Sequence, residues 1–173
     1  MPELTVPTTD LHLAWLEAHR EWAAEHQDGS GLQPDEDVES SDGFAAYVAR
    51  LSREADDDEP LPVGRVHCTY WWITEDGTVL GAIALRHELN DFLLEAGGHI
   101  GYSVRPSRRR RGTAGWALGE ALRHASMRGI IPVLVTCHVD NEASRRTIES
   151  RGGVLEDVRD TALGRLRRYW ITG

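Results

Sequence analysis

Hydrophobic and polar positions follow two different periods along the chain, and the period changes near residue 65. In residues 11–26, apolar and aromatic side chains recur at spacings of three and four, at Leu11, Trp15, His19 and Trp22. This spacing predicts an amphipathic helix. A second, shorter helix is predicted over residues 44–51, FAAYVARL. The segment between them, residues 27–42, holds turn formers and acids without an apolar face and predicts a mobile loop.

Beyond residue 65 the chain is dominated by short runs of β-branched and aromatic residues, which predict strands. The sequence Glu75-Asp76-Gly77 separates the first two runs and indicates a hairpin. The later elements are predicted as strand, helix, strand, short helix and two strands, over HIGYSV, GWALGEALRHASMRG, PVLVTCHV, residues 141–151, VLEDVRD and LRRYWIT. This order predicts an α+β fold with a single mixed, mostly antiparallel sheet that is covered by helices.

The composition is typical of a globular chain. The 173 residues are 40% apolar and 27% charged, which favours one domain over residues 1–173. The mean hydropathy is −0.41, and no apolar run approaches the ~18 residues of a membrane span. The N-terminus lacks a basic start followed by an apolar stretch, so we expect a cytoplasmic protein without a membrane partner. Cys68 and Cys137 lie far apart without neighbours at metal-ligand spacing, so we expect neither a disulfide framework nor a metal.

The formal net charge of −9 is distributed unevenly along the chain. Residues 1–60 hold 16 acidic residues and three Arg, whereas residues 61–173 hold 12 acidic residues and 16 Arg. The acidic part can form a solvated surface, or it can line a groove that attracts a cationic molecule. A net negative chain lacks the broad basic face that nucleic-acid phosphates require, so we expect no nucleic-acid partner.

The segment 101–118, GYSVRPSRRRRGTAGWAL, carries the most specific chemistry in the sequence. A strand ends before Pro106, and an Arg-rich turn then enters a helix whose start holds Gly112 and Ala114. The first amide groups of a helix lack intrahelical partners and lie at the positive end of the helix dipole. Small residues allow a phosphate group to approach these amides. The segment therefore predicts a phosphate-binding turn, with a solvated basic turn as the alternative.

Two motifs resemble those of the GNAT superfamily of acyl-CoA-dependent N-acetyltransferases. The residues Arg109-Arg110-Arg111-Gly112-Thr113-Ala114 match the cofactor motif, which is Arg or Gln, two residues, Gly, one residue, and Gly or Ala. The residues Asn141-Glu142-Ala143-Ser144 match the second motif at the start of the following helix. The element order is similar over nearly the whole chain. The resemblance implies a GNAT fold, whose sheet is splayed at the acetyl-CoA site. Arg110 departs from the family, because Gly is common there and a positive φ would strain an Arg.

Carried over position by position, the resemblance implies a set of acetyl-CoA contacts. The strand backbone at Tyr102 and Val104 would pair with the pantetheine arm, and the amides of residues 109–114 would bind the pyrophosphate. Asn141 and Ser144 would contact the pantetheine or a phosphate. The Arg side chains suit the remaining phosphates, because guanidinium donors match phosphate oxygens. The full set is Tyr102, Val104, Arg109, Arg110, Arg111, Gly112, Thr113, Ala114, Asn141 and Ser144.

Acetyl transfer needs a neutral amine, a group that accepts its proton, and a proton for the leaving thiolate. Many members of the superfamily place a Tyr acid seven residues after the motif Asn, but this position is Ile148 here. Tyr102 and Tyr169 are the remaining tyrosines in predicted strands, and Tyr102 is the candidate for this role. Candidates for the base are His99, Glu95, His87, Glu88 and His138, which lie near the predicted cofactor strand or its neighbours. Strand alternation puts His99 on the face opposite Tyr102. The alternative for His99 and His87 is a hydrogen-bonded structural histidine. The alternative for Glu95 is a solvated acid.

The resemblance implies an enzyme that transfers an acetyl group from acetyl-CoA to a primary amine. The acidic residues 1–60 favour a small, cationic acceptor molecule. The alternatives are a protein N-terminus as acceptor and a non-catalytic acyl-CoA-binding sensor, which the Ile at position 148 allows. The sequence leaves open the acceptor, the base, and whether the protein is a monomer or a homodimer.

Overall fold

The computed structural model describes residues 1–22 and 26–173. Its α-helices are α1 (His12–Arg20), α2 (Ser41–Glu54), α3 (Thr113–Met127) and α4 (Glu142–Ser150). Its strands are β1 (Glu3–Thr5), β2 (Cys68–Glu75), β3 (Thr78–Arg86), β4 (Ile100–Val104), β5 (Val133–His138), β6 (Val154–Thr161) and β7 (Gly164–Ile171).

The structure differs from the prediction in the extent of the first helix and in an additional strand that precedes it. The helix predicted over residues 11–26 ends at Arg20, and residues 23–25 of that prediction lie outside the described residues. Strand β1 was not predicted, because three residues are too few to show a period; it pairs with β2 from Glu3 to Thr5. The predicted hairpin between β2 and β3 is confirmed, with positive φ angles of 49° at Asp76 and 74° at Gly77.

All seven strands form one sheet in the order β1-β2-β3-β4-β5-β7-β6. Every neighbouring pair is antiparallel except β4 and β5, which are parallel. The expected α+β class with a mixed, mostly antiparallel sheet is therefore confirmed. The parallel pair is also the place where the chain crosses between strands through a helix, as parallel pairing requires.

Helices cover both faces of the sheet, and a separate core fills the space under each pair. On one face, α3 and α4 bury apolar side chains against β3, β4 and β5, including Ile83, Leu118 and Ile148. On the other face, α1 and α2 pack Trp15 and Phe44 against β2 and β3. Alternate residues of one strand thus serve different cores, which explains why the central strands are apolar on both faces.

The parallel strands β4 and β5 touch at one point and then separate. Ile100 and Val135 are the aligned pair between them. Just before it, the His99 amide donates to the Leu134 carbonyl at 2.7 Å. From Gly101 onward β4 remains paired with β3 but has left β5. The sheet is therefore splayed, and the edge of β4 at Tyr102 and Val104 opens onto the gap.

The segment predicted as a mobile loop is anchored where it crosses the sheet. The Tyr47 hydroxyl donates to the Ser30 carbonyl at 2.6 Å, and Arg50 donates to the Gly31 carbonyl at 2.7 Å. Gly29, with φ 82°, lies so close to β4 that a Cβ there would collide with the carbonyl oxygen of Gly101. The turn at residues 27–31 is therefore a fixed part of the wall beside β4.

Candidate functional site

The splayed strands open a cleft of about 1230 Å³ between β4 and β5. Consecutive β4 residues face opposite sides of the sheet, and residues from both sides line the cleft. The cleft therefore has one end on each face of the sheet. At the first, which we call the α4 end, the Tyr102 hydroxyl lies 2.8 Å from the Ser144 hydroxyl. At the second, which we call the Arg86 end, Gly101 faces Gly29 and Arg86. The cleft therefore passes through the sheet and connects its two faces.

The turn between β4 and α3 presents a helix N-terminus to the α4 end. Gly112 is the N-cap residue of α3, with φ 80° and, among the described residues, no side-chain cap on the first amides. No described atom lies within 4 Å of the position that a Cβ of Gly112 would occupy. The approach to the amides is thus open, and the dipole of the helix adds partial positive charge there. This arrangement fits a phosphate group.

The Arg residues before Gly112 have different surroundings from one another. Arg110 has a φ of 63°, so the family departure at this position does place a non-glycine residue in the left-handed region. The Arg109 Nε donates to the Val104 carbonyl at 3.0 Å, and its guanidinium lies over the Trp22 ring at 5.1 Å. Arg108, Arg109 and Arg110 line the cleft, whereas Arg111 is exposed outside it.

An ion-pair network around the buried Arg105, which the sequence analysis missed, holds the start of this turn. Arg105 is 4% exposed; its guanidinium pairs with Glu21 and lies 2.7 Å from Glu17. The Glu21 carboxylate also accepts from the Ser107 amide at 3.1 Å and from its hydroxyl at 2.9 Å. The hydrogen bond from Arg105 lowers the pKa of Glu21 to about 2. Glu21, the residue that follows α1, thus fixes the start of the turn between β4 and α3.

The second motif forms the opposite wall of the α4 end. The Asn141 side chain accepts from the Ser144 amide at 3.0 Å and caps α4, as this residue type does at a helix start. The Ser144 hydroxyl is then directed to Tyr102. Burial raises the pKa of the Tyr102 hydroxyl to about 12, so this group is protonated at neutral pH. Of the ten cofactor contacts implied by the resemblance, all but Arg111 line the cleft.

His99, the first candidate base, lies outside the lining of the cleft. It is 7% exposed, and its Nδ1 accepts a hydrogen bond from the Leu134 amide at 2.9 Å. Burial and the charge of Arg86 lower the pKa of His99 to about 4. An imidazole that already accepts a backbone hydrogen bond has no lone pair at Nδ1 for an amine proton. This geometry is that of the structural alternative, in which His99 joins β4 to β5 where they begin to separate.

Of the other candidate bases, Glu95, His87 and Glu88 are not among the residues that line the cleft, whereas His138, the exposed last residue of β5, does line it. Glu95 is exposed in the one-turn π-helix Leu93–Gly97, from which Ala96 and Gly97 line the cleft instead. His87 contacts the Asp57 carboxylate at 2.5 Å and the Thr69 hydroxyl at 2.8 Å. Glu95 therefore has the surroundings of a solvated acid, and His87 has those of a structural histidine.

Few of the N-terminal acidic residues reach the cleft. Among the described acids of residues 1–60, Asp28 alone lines it. Glu36 and Glu54 are paired with Arg50 on α2, and Asp57 is paired with Arg128. Among the described residues, the expected acidic groove is therefore reduced to the carboxylate of Asp28, whose chain neighbour Gly29 lies against Gly101 at the Arg86 end.

The described residues contain no group of three or more His, Cys, Asp or Glu that could hold a metal ion. In the same residues, no helix has the length and apolar character needed to cross a membrane.

Comparison with known proteins agrees with this geometry. The model of the acetyltransferase (GNAT) family matches residues 36–152. The chain belongs to the GNAT acetyltransferase family. Members of this family are acetyl-CoA-dependent transferases, so this GNAT protein is an enzyme of that class and its co-substrate is acetyl-CoA.

Solved structures share the fold of this GNAT protein over almost its full length. A Salmonella typhimurium acetyl transferase that modifies the N-terminal serine of ribosomal protein L7/L12 has a TM-score of 0.70 at 16% identity, covering 99% of this chain and 95% of its own. The microcin C7 self-immunity acetyltransferase MccE, in complex with acetyl-CoA and AMP, has a TM-score of 0.69 at 15% identity, covering 99% and 92%. Mycobacterium smegmatis RimJ, in complex with CoA-disulfide, has a TM-score of 0.71 at 20% identity, covering 100% and 86%. No curated protein sequence matches the chain.

Proposed function

We propose that this protein transfers the acetyl group of acetyl-CoA to a primary amine of a small molecule that is an ammonium ion in solution. The observation that carries the proposal is the splay of β4 from β5 beside the open N-terminus of α3 at Gly112. One end of the cleft offers amides to a pyrophosphate, and the other end is separated from it by the sheet. The two substrates would therefore meet from opposite faces.

The residues at the α4 end fit acetyl-CoA in chemistry and in placement. The first amides of α3 would hold the pyrophosphate, and Arg108 and Arg110 would pair with phosphate oxygens. The exposed edge of β4 at Tyr102 would offer backbone hydrogen bonds to the pantetheine arm. The Val104 carbonyl already accepts from Arg109, so this part of the edge has less capacity than the resemblance implies. When bound, acetyl-CoA supplies an acetyl group that is activated as a thioester.

Tyr102 is the side chain best placed to stabilise the leaving sulfur. Its hydroxyl is protonated at neutral pH, lines the cleft and is fixed by Ser144. Ile148, at the position of the Tyr acid in many relatives, is fully buried in the core. We therefore assign a hydrogen-bond donor role to Tyr102 and no strict requirement for a dedicated acid, because a thiolate can also take its proton from water.

Two further parts of the proposal concern the acceptor and the assembly. A protein N-terminus is the second candidate acceptor, because the Salmonella typhimurium neighbour modifies an N-terminal serine. We further propose one domain over residues 1–173, a cytoplasmic location, and a monomer or homodimer without a nucleic-acid partner.

Calorimetric titration with acetyl-CoA tests the assigned site. Gly112→Glu places a carboxylate before the amides, and Gly129→Glu is a matched control, because Gly129 has φ 74° and equally open surroundings at the other end of the α3 region. Charge-assisted hydrogen bonds are worth about 1.5–3 kcal/mol each. We therefore expect Gly112→Glu to weaken binding by about 100-fold or more, while Gly129→Glu binds as the wild type does. Equal affinity of the two folded variants would contradict the site.

A further inference from the structure

The Arg86 end of the cleft has a fixed cationic group. Arg86, the last residue of β3, donates from Nη1 to the Gly97 carbonyl at 3.0 Å and to the Gly98 carbonyl at 3.1 Å. Within the described residues, its Nη2 and Nε donate to no partner. Both Nη atoms lie 3.7 Å from the position of a Cβ on Gly101. Gly101 thus leaves room for the Arg86 guanidinium. Backbone carbonyls hold this group through Nη1, and its remaining N–H groups are available to a ligand.

An anchored turn brings the backbone next to an acidic residue, Asp28, close to Arg86. The Gly29 amide nitrogen lies 3.4 Å from that same Cβ position of Gly101. Because both distances start from one point, Arg86 and the Gly29 amide lie no more than about 7 Å apart. Asp28 precedes Gly29 and lines the cleft, and its charge also reaches Tyr102 at the α4 end, where it contributes to raising the pKa of the hydroxyl. Its carboxylate is 67% exposed, and its described ion pair is with the exposed His26.

A third polar group on this face has no partner. Ser103 also lines the cleft and follows Gly101 by two residues, so the two share a face of β4. Its hydroxyl is buried and makes no hydrogen bond within the described chain. Buried hydroxyls are normally satisfied by protein, water or ligand. The Arg86 end therefore combines donors for an anion, an acceptor for a cation and an unpaired hydroxyl.

We propose that Arg86 and Asp28 select an acceptor that carries a carboxylate a few bonds away from its primary ammonium group, as a free amino acid does. This inference rests on the proposed acetyl transfer and narrows its acceptor. Arg86 binds the carboxylate, for which a guanidinium has matching paired donors. Asp28 attracts the ammonium group. A purely cationic acceptor meets the repulsion of Arg86, so the ammonium charge alone does not suffice.

The test compares three matched series of acceptors: the standard L-amino acids, their methyl esters, and the corresponding amines without the carboxylate. Thiol release with acetyl-CoA gives kcat/KM for each compound, and calorimetry of the enzyme saturated with CoA gives the affinity for the acceptor. We expect at least one amino acid to be preferred over its ester and its amine by tenfold or more, in both measurements. Equal use of acid and ester, or preference for an ester or an amine, overturns the proposal.

Variants separate recognition from folding. We expect Arg86→Gln to remove the preference for the acid over the ester and to leave the affinity for acetyl-CoA unchanged. Because Arg86 also holds the carbonyls of Gly97 and Gly98, Asp28→Asn provides a second test on an exposed side chain, and we expect it to raise KM for the amino acid about tenfold. Arg165→Gln, at an exposed Arg on β7 that is not among the lining residues, is the control. A retained preference in Arg86→Gln contradicts the proposal.

The outcome is distinguishable from failure of the proposed function. If acetyl-CoA does not bind, or if it binds and no amine is acetylated, acetyl transfer is wrong and the acceptor assignment falls with it. If amines are acetylated without regard to a carboxylate, acetyl transfer stands and the roles of Arg86 and Asp28 are wrong.

Discussion

Replacing His99 with glutamine tests whether this histidine joins the two splayed strands or removes a proton from the substrate. Its amide donates to the Leu134 carbonyl at 2.7 Å, and its Nδ1 accepts from the Leu134 amide at 2.9 Å. The residue therefore bonds both groups of one β5 residue. Protonation of Nδ1 would break the second bond in a buried position, which agrees with a pKa lowered to about 4 by burial and by the charge of Arg86.

The lowered pKa has a consequence for stability against pH. The unfolded chain takes up the proton near the ordinary His pKa of about 6.5, whereas the folded protein takes it up near 4. Between these values the unfolded state binds more protons, so stability falls as the pH falls. About 2.5 pKa units at about 1.4 kcal/mol each give a loss of roughly 3 kcal/mol between pH 6.5 and 4. The contribution is fully present above pH 6.5.

Urea unfolding, followed by tryptophan fluorescence at several pH values, measures this difference. Gln does not titrate, so the loss of stability of His99→Gln between pH 6.5 and 4 should be smaller than that of the wild type by up to about 3 kcal/mol. His26→Gln, at an exposed histidine, should follow the wild type. We also expect His99→Gln to keep kcat within about tenfold and to retain the acidic limb of the pH profile. Identical acid slopes in variant and wild type, or a loss of activity beyond about 100-fold together with the limb, would refute this reasoning.

Two further substitutions test the α4 end and the start of the turn between β4 and α3. Tyr102→Phe removes a protonated hydroxyl that Ser144 holds, and we expect kcat to fall about tenfold with unchanged affinity for acetyl-CoA; a loss above ~10³-fold would show a dedicated acid. Glu21→Gln keeps the shape but weakens the bonds to Arg105 and Ser107, and we expect the affinity for acetyl-CoA in calorimetry to fall about tenfold. An unchanged affinity would show that this network does not position the turn.

The turn between β4 and α3, to which we assign phosphate binding, could be located from the sequence because its pattern is local. Pro106 and Gly112 require special backbone positions, and the spacing from the Arg cluster to the helix start is fixed by the chain itself. The strained φ of Arg110 follows from the same local pattern. Strand alternation also placed His99 and Tyr102 on opposite faces, which already favoured the structural role of His99.

The Arg86 end was not predictable, because it depends on contacts between distant parts of the chain. The turn at Gly29 lies against β4 only because Ser30 is held by Tyr47, 17 residues later. Likewise, Glu21 meets Arg105 across 84 residues. No periodicity in the sequence marks such pairs. The clustered acids of residues 1–60 predicted an acidic groove, but Asp28 is the only described acid of that segment that lines the cleft.

The central claim is tested most directly by following a ¹³C-labelled acetyl group of acetyl-CoA by NMR in the presence of the three acceptor series, which are the amino acids, their methyl esters and the corresponding amines. The account predicts that the wild type and Gly129→Glu move the label from the thioester to an amide carbonyl, and that Gly112→Glu does not. Label that remains on the thioester with every amine, although acetyl-CoA binds, would contradict the account and favour a non-catalytic acyl-CoA sensor.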